Sequence, residues 1–215
     1  GTISSDQNIG TVTLNTVVAG GVRAGGNIGP ITAQSFNGAV ISARDAITSL
    51  VVAADVRDSA IYAGADLGSD ASFGGTGADA DVVSNGTIGP VTIGGAFPES
   101  DIAAGVCRGP DGFLGTADDT AAEGRSTIGA VTIAGQTVGS NINSEQYRIV
   151  STGGVGRVLV ANSDLQFRGN FAVNRLGALP VPVIVTDVNV FEDSRVYRAE
   201  FSFNQPIDAS TFGAA

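Results

Sequence analysis

The residues best suited to chemistry in this chain are aspartates gathered in two glycine-rich stretches. Ten of the 16 aspartates fall between Asp55 and Asp119. The segment Gly109-Pro-Asp-Gly-Phe-Leu-Gly-Thr-Ala-Asp-Asp-Thr120 carries Asp111, Asp118 and Asp119 among glycines that let a loop curl. Hard carboxylate oxygens on such a loop are the ligands that Ca2+ takes. A second stretch, from Ala65 to Gly86, places Asp79 and Asp81 two residues apart, a spacing shared by calcium loops and plain acidic turns. Calcium at Asp111, Asp118 and Asp119 is the stronger expectation and calcium at Asp79 and Asp81 the weaker. In either loop the ion would brace the chain and would not catalyse.

What is missing narrows the chemistry further. The chain has no histidine, so it builds neither a Ser-His-Asp nor a Cys-His nucleophile and offers no imidazole to a transition metal. Asp58, Asp101 and Asp164 lie near recurring apolar positions, with Arg23 and Arg168 elsewhere, and they read as solvated turn residues. The chain is therefore expected not to be an enzyme. The single Cys107 forms no internal disulfide and reads as a thiol without function. A net charge of −10 with no lysine argues against nucleic acid and against an anionic membrane surface as partners. No 18-residue apolar run reads as a membrane span, and no basic, apolar N-terminal segment reads as a retained signal peptide.

The elements that must position these loops are written in a repeated phrase: IGTVTL from Ile9, IGPITA from Ile28, ITSLVV from Ile47, IGPVTI from Ile88, IGAVTI from Ile128 and VGRVLV from Val155. The starts imply a turn of about 19 residues, lengthened by insertions later in the chain. A second apolar station follows at Val18, Phe36, Val56, Phe97 or Val138. A third follows at Val22, Val40, Ile61, Ile102, Ile142 or Leu165. Val91-Thr92-Ile93 and Val131-Thr132-Ile133 alternate with the two-residue period of a half-buried strand. Stacking would put Val12, Ile31, Leu50, Val91, Val131 and Val158 in one internal ladder, and Leu14, Ala33, Val52, Ile93, Ile133 and Val160 in the next. Thr13, Thr32, Thr92 and Thr132 would line the outside, with Val51 and Leu159 breaking the row. Gly10, Gly29, Gly89 and Gly129 suit a corner between faces.

This pattern resembles a parallel β-helix, or β-solenoid, over about residues 9 to 170. The resemblance implies an all-β fold of about six coils, with long loop insertions near 65–86 and 106–126, right-handed by the usual hand of parallel crossovers. A β-sandwich is the main competitor, but it has no need of one fixed internal order of stations. With 31 glycines and 6% aromatics, the core must be built from Val, Ile, Leu and Ala, as a narrow coil requires. The wording GPDGxxGTADD resembles acidic segments of large secreted bacterial surface, adhesin-like proteins, where it looks like a calcium loop. It departs from the alternating Asp-x-Asp-x-Asp-Gly spacing.

The chain changes character at its end. Six of the ten phenylalanines lie from Phe167 to Phe212, and Pro180-Val-Pro182 marks a boundary. Residues 171–182 read as a linker, and 183–190 and 196–203 as strands of a β-hairpin within a segment 183–215. That segment resembles the start of a bacterial immunoglobulin-like module, which needs roughly 100 residues. A hairpin cap, a truncated module and a segment completed by another subunit all fit it. Open coil ends expose strand edges, and head-to-tail self-association through them and residues 183–215 would satisfy both. The expectation for the whole is a noncatalytic extracellular or bacterial cell-surface protein: a stalk, a matrix component or a filament subunit. The alternative is a carbohydrate-binding or polysaccharide-degrading β-helix, which would show exposed aromatics with carboxylates nearby. Tyr62 is the one aromatic expected to point outward from a strand.

Overall fold

The computed structural model describes residues 1–68, 72–109, 111–140, 147–161, 163–164, 167–168, 171–175, 185–193 and 196–203. Nearly all of the regular structure is β, with one 3-10 turn at Gly77–Asp79 among the described residues. Among those residues no helix is long and apolar enough to cross a membrane. The chain divides into two units, Gly1–Gly177 and Ala178–Ala215.

In the first unit, strands pair in parallel with the equivalent segment one repeat further along. The first sheet orders Thr2–Ser5, Thr16–Ala24, Ser35–Ala43, Ala60–Ala63, Asp101–Ala104, Tyr147–Ser151 and Phe171–Arg175 side by side. The second sheet is built from the repeated phrases, and its register runs Val12, Ile31, Leu50, Val91, Val131, Val158, as the phrase predicts. A third, narrower set pairs Phe97–Pro98 with Thr137–Val138 and Phe167–Arg168. The reason is pleat alternation: Val91 and Ile93 are buried while Thr92 between them is exposed, so one face of each phrase enters a shared aliphatic core. That core contains Val22, Phe36, Ile41, Ile61, Ile102 and Ile149 from the first sheet, Val56 from the short strand Val56–Arg57 paired beside Phe36, and Phe97 from the third set.

Several stations sit elsewhere than expected. Val17, not Val18, stands in register with Phe36, and Val18 is 61% exposed. Thr137, not Val138, pairs with Phe97 and is buried. In the first sheet the ladder runs Val22, Ile41, Ile61, Ile102, Ile149, Val173, so Ile41 replaces Val40. Ile149 and Val173 hold the positions expected of Ile142 and Leu165, which lie outside the described residues. Phe171–Arg175, expected to open a linker, is the last strand of this sheet. Thr2–Ser5 adds a strand ahead of the first phrase, with Ile3 opposite Val22. Offsets counted from the phrase fail wherever a turn carries an extra or missing residue, because a one-residue slip moves every side chain to the other face.

The phrase glycines have a different purpose from turning a corner. Their φ angles are not positive. A Cβ on Gly89 would strike the Thr48 carbonyl oxygen, one on Gly129 would lie 2.9 Å from the Gly89 carbonyl carbon, and one on Gly156 would lie 2.8 Å from that of Gly129. Successive repeats thus approach backbone to backbone along this row. The left-handed corner lies instead within or just ahead of the first-sheet strands, at Ala19 (φ 48°), Gly38 (66°), Asp58 (46°) and Glu99 (48°). Hydroxyls stitch that corner across repeats: the Ala39 N–H donates to Ser59 Oγ at 3.0 Å, and the Ser59 N–H to Ser100 Oγ at 3.1 Å. A second such row runs from the Gly86 N–H to Ser126 Oγ and from the Ser126 N–H to Thr152 Oγ1, each 3.1 Å. These bonds satisfy buried N–H groups that would otherwise cost roughly 1–3 kcal/mol each.

The second unit contains an antiparallel pair, Val185–Asp193 with Val196–Phe203, with Phe191 opposite Arg198 and Val188 opposite Phe201. Alternation in both strands had implied this hairpin.

Candidate functional site

The outer face of the first sheet is the part of the first unit where chemistry collects. Pleating turns Ile61, Ala63, Ile102, Ala104 and Ile149 inward and leaves Ala60, Tyr62, Ala103 and Val150 on the other side. Two insertions cover that side. One leaves through a neck in which Ala65–Asp66 pairs antiparallel with Val82–Val83, the other through Val106–Cys107 paired with Thr120–Ala121. Their apolar residues Leu67, Val106, Cys107 and Leu114 close over Tyr62 to make a second hydrophobic cluster, with Phe73 and Val83 packed against it. Tyr62 does point outward as expected, yet it is fully buried. Its ring meets Phe73 at 4.9 Å with a 60° tilt, and the Arg108 guanidinium carbon lies 3.8 Å from the Phe73 centroid. The loops therefore hold themselves with apolar contacts that a reading of their glycines and aspartates did not reveal.

Asp111, Asp118, Asp119 and Asp81, proposed for calcium, each accept a hydrogen bond within their own loop. Asp111 Oδ1 accepts the Phe113 N–H at 2.9 Å, and Asp118 Oδ2 accepts the Asp111 N–H at 3.1 Å. Asp118 Oδ1 also accepts the Thr116 hydroxyl at 2.6 Å, and Asp119 Oδ2 accepts the Gly115 N–H. The Thr116 hydroxyl and the Asp111 N–H hold the Asp118 carboxyl below the usual range, while partial burial raises that of Asp119. In the other loop Asp79 ends the 3-10 turn. Asp81 Oδ2 accepts the Gly74 N–H at 2.8 Å and the Cys107 thiol at 3.4 Å. Among the described residues no group of three or more acidic or cysteine side chains converges as a metal would require. Burial, with the neighbouring Asp81, pushes the Cys107 thiol far above its ordinary value, which keeps it protonated and unreactive.

Arg23 and Asp101, expected in solvated turns, are both buried. Arg23 is 8% exposed and bridges Asp6 at 3.1 Å and Asp66 at 2.7 Å, tying the 65–86 insertion to the first strands. Asp101 is 3% exposed, and its Oδ1 accepts the Arg148 N–H at 2.7 Å. Burial raises the Asp101 carboxyl to about 7, against the opposing pull of the Arg148 N–H and of Arg108. Asp58 is exposed in its turn as expected, whereas Asp164 and Arg168 are described only as strand backbone.

Asp101 lines a cleft of about 160 Å³ at the edge of the loop cover. Asp58 and Glu99, the left-handed corner residues of two adjacent repeats, flank it. Phe113 and Tyr147, 6.1 Å apart and edge to face, form an aromatic wall, and Arg108 borders it from the second insertion. Sequence reasoning missed this constellation because it treated the insertions as excursions from the sheet. The available signal was parity: Asp101 and Ala103 share one face of their strand, in register with Ala60 and Tyr62, the face that the insertions cover. No protein-family model, curated protein or solved structure matches the chain.

Proposed function

We propose that the first unit is a parallel β-helix and that the chain is a noncatalytic structural protein of the bacterial cell surface or extracellular space, a stalk, matrix component or filament subunit. The observation that carries this reading is the register: six phrases stack in parallel around one aliphatic core, and the outward row of the second sheet is Thr13, Thr32, Val51, Thr92, Thr132 and Leu159, which holds no acid, base or nucleophile arranged for a reaction. Repetition of this kind builds length at a constant cost per repeat.

Head-to-tail self-association belongs to the same reading. Among the described residues the strand Thr2–Ser5 is paired along one edge only, and its Ile3 is 46% exposed where Val22, Ile41 and Ile61 in the same ladder are buried. A parallel edge of this sort accepts another strand, and residues 183–215 of a neighbour are the proposed donor. Calcium at Asp111, Asp118 and Asp119, and at Asp79 and Asp81, would act as a brace on loops that already carry their own hydrogen bonds.

Negative-stain electron microscopy of the purified native protein tests the assembly reading. Fibres that disappear when residues 183–215 are deleted are the expected result, and monodisperse particles at every concentration would overturn it. The calcium brace is tested by melting in excess chelator, where a fall of several degrees is expected and an unchanged Tm would remove the ion from the account.

A further inference from the structure

Charge is spread unevenly over the first unit, and the outward side of the second sheet holds almost none of it. The chain has 21 acidic residues against 11 arginines, a net charge of −10. The central outward row, Thr13, Thr32, Val51, Thr92, Thr132 and Leu159, carries no charge. The rows two residues to either side, which begin at Thr11 and Asn15, carry no acid and one cation, Arg157. No position in these three rows is buried. Val51, third in the central row, is 43% exposed and is one of four large apolar side chains so placed among the described residues.

Two physical consequences follow from an uncharged face on an acidic chain. Copies at −10 each repel wherever their carboxylates come together, and here they can meet without that contact. The side chains also recur from repeat to repeat at the strand spacing of about 4.8 Å, so the furrows of one face match the ridges of an identical one, as aligned packing of two sheets requires. We infer that the outward face of the second sheet is a docking surface for a second copy of this chain, the two packing face to face about a two-fold axis.

Other occupants suit the face less well. A basic partner would be drawn to the aspartate-rich insertions, and an acidic one would find only Arg157. Six strands at that spacing, five residues wide at about 3.3 Å each, present about 500 Å² per copy. The pair therefore buries about 1,000 Å², the lower limit for a specific interface, and the dimer should be weak, populated at roughly tens of micromolar. The contact lies along the sides of the repeats. It is independent of the strand edge and of residues 183–215, on which head-to-tail assembly rests.

Salt gives the contact a definite sign. No ion pair is needed across the face while the rest of each molecule repels its partner, so screening favours association. Kd should fall about tenfold between about 50 and about 500 mM NaCl, as the screening length drops from about 14 to about 4 Å. An interface built on ion pairs would weaken instead.

Sedimentation velocity of the full chain, up to about 200 µM, is the test. A species of twice the chain mass that tightens with NaCl is expected. Thr32→Asp with Thr92→Asp, both at exposed positions, should raise Kd at least about thirtyfold while leaving the urea midpoint nearly unchanged. Mixing that variant with Thr32→Lys and Thr92→Lys should restore the dimer, and Gln7→Glu, an added charge off the face, should do nothing. Where the chain also polymerises end to end, the acidic pair should turn paired fibres into single ones without abolishing them, so this inference and the head-to-tail reading fail separately. A native chain that stays unpaired at about 200 µM in about 500 mM NaCl, a Kd unmoved by the acidic pair, or a dimer that loosens with salt would each overturn the inference. So would an unpaired chain that cosediments with an uncharged insoluble polysaccharide, which would give the face to a different occupant.

Discussion

The two sides of the first sheet are built on opposite plans. Inside, Val22, Ile41, Ile61, Ile102 and Ile149 repeat one residue shape in one register, and each side chain packs on copies of itself above and below. Outside, Tyr62, Phe73, Leu67, Leu114 and Cys107 form a cluster that occurs once, assembled from two insertions of unlike sequence. Among the described residues the inner side buries nothing that titrates. The outer side buries a carboxyl, a phenol and a thiol. A repeated core is self-complementary and needs no polar specification, whereas a cover assembled once must accommodate whatever the sheet presents, and it is there that unusual groups accumulate.

The contrast is broken most severely at the row of phrase glycines. Gly89→Ala drives a Cβ into the Thr48 carbonyl, a backbone group that cannot swing aside, so neighbouring repeats must separate. We expect a loss of more than about 4 kcal/mol in urea unfolding, or failure to fold. Gly10→Ala, in the first phrase, where an added Cβ would meet nothing within 4 Å, should be tolerated far better.

A matched pair sharpens it. Leu50 inside and Leu114 outside are both fully buried. Leu50→Ala should cost about 2–5 kcal/mol globally, lowering the exchange protection of amides in all repeats. Leu114→Ala should open the cover by a similar local amount while leaving the Val131 amide as protected as before. Equal effects on Val131 would mean that the cover and the core unfold as one.

Much of the inner plan was legible in the phrase itself. Val91-Thr92-Ile93 states its own alternation, and the spacing of 19 residues predicts the register of Val12 on Ile31 on Leu50. The third station was less so, because Ile41 lies beside Val40 and Ile149 comes after a long connection, and distance along the chain does not count extra turn residues. The corner was misplaced for a physical reason: glycine answers both to positive φ and to close backbone approach, and the phrase glycines answer to the second while Ala19, Asp58 and Glu99 meet the first without being glycine. The candidate site was invisible because burial of Asp101 depends on loops folding back across the sheet, a long-range event that neither the aspartate spacing nor the glycine content encodes.

Asp101 gives the smallest and most selective of these effects. Its carboxyl is raised to about 7 in the folded chain and is near 4 when unfolded, so the folded state holds its proton more tightly. The stabilisation is complete below about pH 4 and is lost as pH rises through 7, a change of at most about 4 kcal/mol for this one buried group. Asp101→Asn keeps an oxygen for the Arg148 N–H and removes the titration. Its stability relative to the parent should rise between pH 4 and 8, measured by urea midpoints; parallel pH profiles would show that the carboxyl is solvated.

The parallel register is the central claim, and a cross-link reads it directly. Thr92 and Thr132 are paired neighbours on the outward side of the second sheet, so the double substitution Thr92→Cys and Thr132→Cys should oxidise to an intramolecular disulfide in the folded monomer. Thr92→Cys with Ala130→Cys, slipped by two residues, should stay reduced under the same conditions. Efficient closure of the slipped pair, with none in the registered pair, would contradict the stacked parallel repeats on which the rest depends.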